Sequence, residues 1–183
     1  MVCFEKAGKT NTQKTIEIAL KVSEERKIKN IVFPSASGWT ATFFENVKNK
    51  NLVCVTHAYG FAEKGKNEMD KATRLKLENN GIKILTTTHV LSGAERGLSK
   101  KFGGIYPVEI VANTLRMFGQ GLKVATEIAI MALDAGIIPY GEKIISLGGT
   151  EEGVDTAIII VPSHASMMLE TKIIEILCKP VDF

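Results

Sequence analysis

With 183 residues, 45% hydrophobic and 23% charged, the chain is long enough to bury a core and has the composition of an ordinary globular protein. A net charge of +3, with both signs spread along the sequence, excludes the concentrated basic stripe of a nucleic-acid-binding surface. No run of about 18 apolar residues occurs, which excludes a membrane-spanning helix.

Short β-branched runs alternate with helical patterns, so the expected fold is α/β, a three-layer sandwich in which a mostly parallel sheet carries helices on both faces. Thr10-Asn11-Thr12 offers N-caps for a first helix, with Ile16, Ala19 and Leu20 at helical spacing to about Ile28. Ile31-Val32-Phe33 reads as a strand buried on both faces. A tight loop from Pro34 to Gly38 follows, and Trp39, Phe43 and Val47 recur at four-residue intervals as the next helix. Leu52 to Thr56 is the second strand, Glu68 to Asn79 a polar helix stopped by Asn80-Gly81, and Ile82 to Thr86 the third strand.

Ser92 to Gly104 holds four glycines beside Arg96, Lys100 and Lys101, and reads as a long flexible loop of the kind that forms lids or binding segments. Pro107 occupies a first-turn position, with Val108, Val111, Leu115 and Phe118 on one helical face. A second helix from about Leu122 to Ala135 is apolar nearly all round and ends at Gly136. Lys143 to Leu147, Thr156 to Val161 and Ile173 to Cys178 close the sheet. The short link from Gly148 to Asp155 suits a hairpin, so at least one late strand is expected to be antiparallel. No linker or repeat divides residues 1–183, and one domain is expected.

Cys3, Cys54 and Cys178 are far apart and read as reduced thiols of a cytoplasmic protein. The opening Met1 to Lys6 lacks the layout of a signal peptide, which supports the same expectation. His57, His89 and His164 stand singly, so no metal site is expected.

Ligands of open α/β sheets bind beyond the carboxyl ends of the parallel strands. Four segments follow those ends here: Ser35 to Thr40, Thr56-His57, Thr87-Thr88-His89 with Ser92, and Gly148-Gly149-Thr150. All are rich in hydroxyls, glycine or histidine, which bond to phosphate oxygens and allow close backbone approach. Ser35, Ser37 and Thr40 bracket Gly38 where a helix begins, and free amides at a helix start favour an anion. Simple N-capping needs only one of these hydroxyls.

A single histidine is usually structural, and His57 and His89 gain interest by sharing one edge. Trp39 could stack on a ring, although its spacing to Phe43 favours the core. Ser163-His164 is no serine-hydrolase site, because a Gly-x-Ser-x-Gly elbow is absent. Glu151 and Glu152 form a charged turn with no second carboxylate pair for acid–base chemistry.

Ser35-Ala36-Ser37-Gly38-Trp39-Thr40-Ala41, Val55-Thr56 and the run Gly141 to Thr150 resemble segments of the carboxy-terminal α/β domain of pyruvate kinase. Thr86 to Gly93 and Leu115 to Gly121 are similar to recurring segments of its stand-alone, largely archaeal relatives. The resemblance implies a site for a phosphorylated small molecule, without the catalytic barrel, so pyruvate kinase activity is not implied. It further implies flavin mononucleotide (FMN) as one ligand of the group. The phosphate would lie at Ser35–Thr40 and the ring at Thr87–Ser92 and Gly148–Thr150. Packing of the kinase domain against its own copy implies a homodimer. Three functions follow: a binding domain for a phosphorylated metabolite or FMN, an FMN-dependent oxidoreductase with His57 or His89 as proton donor, and a homo-oligomeric assembly module. No catalytic residue is assigned.

Overall fold

The computed structural model describes residues 1–183. Seven strands form one sheet: β1 (Val2–Lys6), β2 (Asn30–Pro34), β3 (Asn51–Val55), β4 (Lys83–Leu85), β5 (Ile144–Gly148), β6 (Thr156–Val161) and β7 (Lys172–Asp182). Their order is β1-β7-β6-β5-β2-β3-β4. Only β6 runs against its neighbours, pairing antiparallel with both β5 and β7, as the short link after β5 requires.

The helices are α1 (Thr12–Glu25), α2 (Trp39–Thr42), α3 (Lys71–Asn79), α4 (Gly93–Phe102), α5 (Pro107–Arg116) and α6 (Gln120–Asp134). Strand side chains alternate between two cores, following the period of two. Ile31, Phe33, Leu52, Cys54, Ile145 and Leu147 pack with Ile16 and Ala19 of α1 and Leu77 of α3. Val32, Val53, Val55, Ile144 and Ile158 pack with Leu122, Ala125, Ile128 and Ala129 of α6. Helices therefore cover both faces. Phe44 stacks on Phe33 at 4.1 Å in the first core, and loss of either ring would cost about 3–5 kcal/mol.

Three local expectations are corrected. The helix read through Phe43 and Val47 lasts one turn. Beyond Thr42 the amides of Phe43, Phe44 and Glu45 bond three residues back, which rotates Phe44 inward and leaves Trp39 and Phe43 38% and 37% exposed. The glycine-rich loop is in fact α4. Glu95 in its first turn and Lys100 and Lys101 in its last complement the helix dipole, and Gly103 (φ +76°) ends it. β1, to which the sequence reading assigns no element, is a largely exposed edge strand with little apolar patterning, paired parallel to β7.

Candidate functional site

β2 leads through Ser35 to α2, whereas β5 inserts on the other side of β2, and α6 descends over both from the opposite face. Strand order thus reverses at β2, where a crevice opens at the carboxyl ends of the strands. A cleft of about 580 Å³ lies there. It is lined by Ser35, Ser37, Trp39 and Thr40 after β2, His57 and Glu68 after β3, Gly149 to Gly153 after β5, and Gln120 and Val124 of α6.

The local backbone explains the character of this cleft. The Ser35 hydroxyl accepts from the Thr40 amide at 3.1 Å, and Ser37 Oγ lies 3.5 Å from the Trp39 amide. Two of the three hydroxyls thereby face the helix start, one as a firm cap. The amides of Ala36, Ser37 and Gly38 have no acceptor within the chain, and neither do those of Gly149 and Thr150. The hydroxyl of Thr150 is also unpartnered although screened from solvent. Free amides on adjacent loops form the kind of nest that receives an anion.

Carboxylates share the cleft. Glu152 is bound by Lys9 at 2.7 Å, and the same ammonium lies 4.2 Å above the Trp39 ring. Glu68 Oε2 lies 2.7 Å from His57 Nδ1. Glu151, held at φ +60°, has no ion-pair partner. Positive charge at the cleft comes from Lys9, with donors supplied by the backbone.

Thr87, Thr88 and His89 line a second cavity of about 490 Å³, together with Val90, Met131 and Val108. The wall between the two cavities is aromatic. Ring centroids of His57 and Phe61 lie 4.2 Å apart, His57 and His89 5.6 Å, and Phe61 and His89 5.5 Å. The edges expected to hold one ring are consequently not one surface: Gly149 and Thr150 join the Ser35–Thr40 cleft, and Thr87 to His89 stand across the histidine pair.

The other sequence candidates line neither cavity directly. Gly38 (φ +98°) caps α2, and a Cβ there would stand 2.6 Å from Thr73 Cγ2. The Thr56 hydroxyl is buried between the His57 carbonyl at 2.9 Å and the Thr86 hydroxyl at 2.7 Å. Ser92 occupies the N-cap position of α4 without capping it by its side chain. Gly148 serves packing, since a Cβ would lie 1.9 Å from the Gly121 carbonyl of α6.

A sequence model described as pyruvate kinase, alpha/beta domain, matches residues 13–160 of the 183. The chain belongs to this family. The matched span of this pyruvate kinase alpha/beta domain runs from α1 to β6 and includes every residue lining the cleft.

Charged neighbours of His89 absent from the sequence reading also lie in this pyruvate kinase alpha/beta domain. Lys123 and Glu127, one turn apart on α6, form a buried ion pair with side chains each 5% exposed. Glu127 Oε1 also accepts from the Leu91 amide at 2.9 Å, which anchors the segment carrying His89. The legible signal was a Lys-x-x-x-Glu pair inside an apolar helix. Burial lowers the pKa of His89, an effect the Glu127 carboxylate opposes and the His57 and Lys123 charges reinforce. Burial likewise depresses Lys123, against the pull of Glu127. The Cys54 thiol, pushed up to about 12 by burial, is inert core.

Proposed function

We propose that the chain binds a small phosphorylated ligand in the cleft between the β2 and β5 loops. The observation that carries this reading is the gathering of four residues with unsatisfied amides, Ala36 and Ser37 with Gly149 and Thr150, at the crevice where strand order reverses. Lys9, beside the cleft, offsets the charge of Glu152. FMN is the ligand that the resemblance brings, and the His57–Phe61–His89 cluster supplies flat faces for a ring beside the phosphate position. The three free cysteines fit work in the reducing cytoplasm.

The test begins with the visible absorption spectrum of the purified protein and mass spectrometry of whatever heat releases from it. Flavin bands with a mass matching FMN support the flavin form, and a phosphorylated metabolite supports the broader one. Trp39, the only tryptophan, lines the cleft and reports titrations with FMN, sugar phosphates and inorganic phosphate by fluorescence. Ser37→Asp should weaken a phosphate ligand at least about tenfold by like-charge repulsion. No released ligand together with no Trp39 response would remove the reading.

A second reading, an FMN-dependent oxidoreductase, is favoured by one observation. Glu68 holds His57 by Nδ1 and both residues line the cleft, the arrangement of an oriented proton donor or acceptor. Loss of a turnover in His57→Ala with ligand affinity retained would select it.

A further inference from the structure

A third cavity, of about 570 Å³, opens where β6 ends and β7 begins. Because β6 runs antiparallel to β5, its carboxyl end lies beside the start of β5, at the opposite end of the sheet from the cleft. Val161 to Ser163 form one wall, Leu169 to Lys172 another, and Tyr140 with Gly141 the third.

These walls are tied together. The Ser163 amide donates to the Thr171 hydroxyl at 3.1 Å. The Tyr140 ring is stacked on that of His164, with centroids 5.5 Å apart and planes within 9°. Asp134, the last residue of α6, fixes the imidazole in turn. Its Oδ1 stands 2.7 Å from His164 Nδ1, and its Oδ2 accepts from the Ala165 amide at 3.2 Å. A wall held in this way loses little freedom when a ligand arrives.

Ser163 is 4% exposed, and its hydroxyl has no hydrogen-bond partner within the chain. Buried hydroxyls are nearly always paired, and an unpaired one is costly. The O–H rotates freely, so a polar group seated in the cavity can take it up. Glu170 and Lys172 line the same cavity on either side of Thr171, both are exposed, and neither has an ion-pair partner. Charge therefore selects the ligand. Lys172 repels a simple cation and Glu170 a simple anion, whereas a molecule carrying both charges satisfies both. Val161, Pro162 and Leu169 offer apolar surface to its body.

We propose that this cavity binds a small zwitterion of the α-amino-acid type with an apolar side chain. Its ammonium pairs with Glu170, and its carboxylate pairs with Lys172 and accepts from the Ser163 hydroxyl. The site rests on neither reading of the cleft.

L-leucine is the probe, titrated into the full chain and followed in amide NMR spectra. Saturable shifts are expected at Ser163, Thr171 and Lys172. Isocaproate, which lacks the ammonium, and isoamylamine, which lacks the carboxylate, should each bind at least about tenfold more weakly. Glu170→Gln and Lys172→Gln should each weaken leucine by a similar factor without changing the circular dichroism spectrum, because both side chains are exposed. Ser163→Ala should weaken it too, and Ser37→Asp in the cleft should not. No saturable shift up to about 10 mM leucine would overturn the proposal. So would analogues that bind as well as leucine, or an affinity indifferent to the changes at Ser163, Glu170 and Lys172.

Discussion

His57 Nδ1 stands 2.7 Å from Oε2 of Glu68, which comes from the approach to α3 eleven positions along the chain. In the neutral ring this bond puts the proton on Nδ1 and leaves Nε2 as an acceptor. ¹⁵N imidazole spectra above pH 7.5 should therefore show the Nδ1–H tautomer of His57. Glu68→Ala should return it to the Nε2–H form that free histidine prefers. An unchanged tautomer in that variant would mean that Glu68 does not orient the ring.

His89 gives the fold a pH dependence. Burial holds its pKa below 6.5, so as pH falls the unfolded chain takes up a proton before the folded one does. Stability is therefore full above pH 6.5 and declines below it, levelling off only once the folded-state pKa is passed. Urea midpoints measured from pH 7.5 to 5 should fall, and His89→Gln should flatten that trend. Equal slopes in the two proteins would assign the acid sensitivity elsewhere.

The buried Lys123–Glu127 pair should be costly to break singly. Glu127→Ala leaves a buried ammonium and an unpaired Leu91 amide, and should destabilise the protein by about 3–5 kcal/mol. Replacing both, as Lys123→Met with Glu127→Leu, should recover most of that loss, since no lone charge remains. Denaturant titration separates the two outcomes. Hydrogen exchange at Leu91 should accelerate in both variants, because neither retains its acceptor.

Gly148 is a contact glycine rather than a ligand glycine. Gly148→Ala would drive a methyl against the Gly121 carbonyl and the Ala125 amide, 1.9 and 2.8 Å from the new carbon. Both are backbone atoms of α6, so the helix itself must shift. A loss of about 3 kcal/mol or more is expected by thermal or urea unfolding, with or without ligand. A stable variant with impaired ligand affinity would reverse this assignment.

Hydrophobic periodicity was enough to read the alternation of strands and helices and the central apolar strands β2, β3 and β5, and the short link from Gly148 to Asp155 was enough to expect at least one antiparallel late strand. A strand buried on both faces must be apolar throughout, and a short link can join only antiparallel strands. The rule that ligands seek the carboxyl ends of parallel strands was equally sufficient to name Ser35, Ser37, Thr40, His57, Gly149 and Thr150, all of which line one cleft.

What lay beyond sequence depended on long-range contacts. β1 needs β7, about 175 residues away, to be a strand at all. Glu68 acquires its role only where the β3–α3 loop returns it to His57. Thr87 to His89 share an edge with the cleft in sequence logic, yet the mutual packing of the His57, Phe61 and His89 rings puts them in another cavity. Local pattern encodes which residues are apolar and where turns fall. Which distant side chains meet is decided by the sheet order and by the side of the sheet on which each connection crosses.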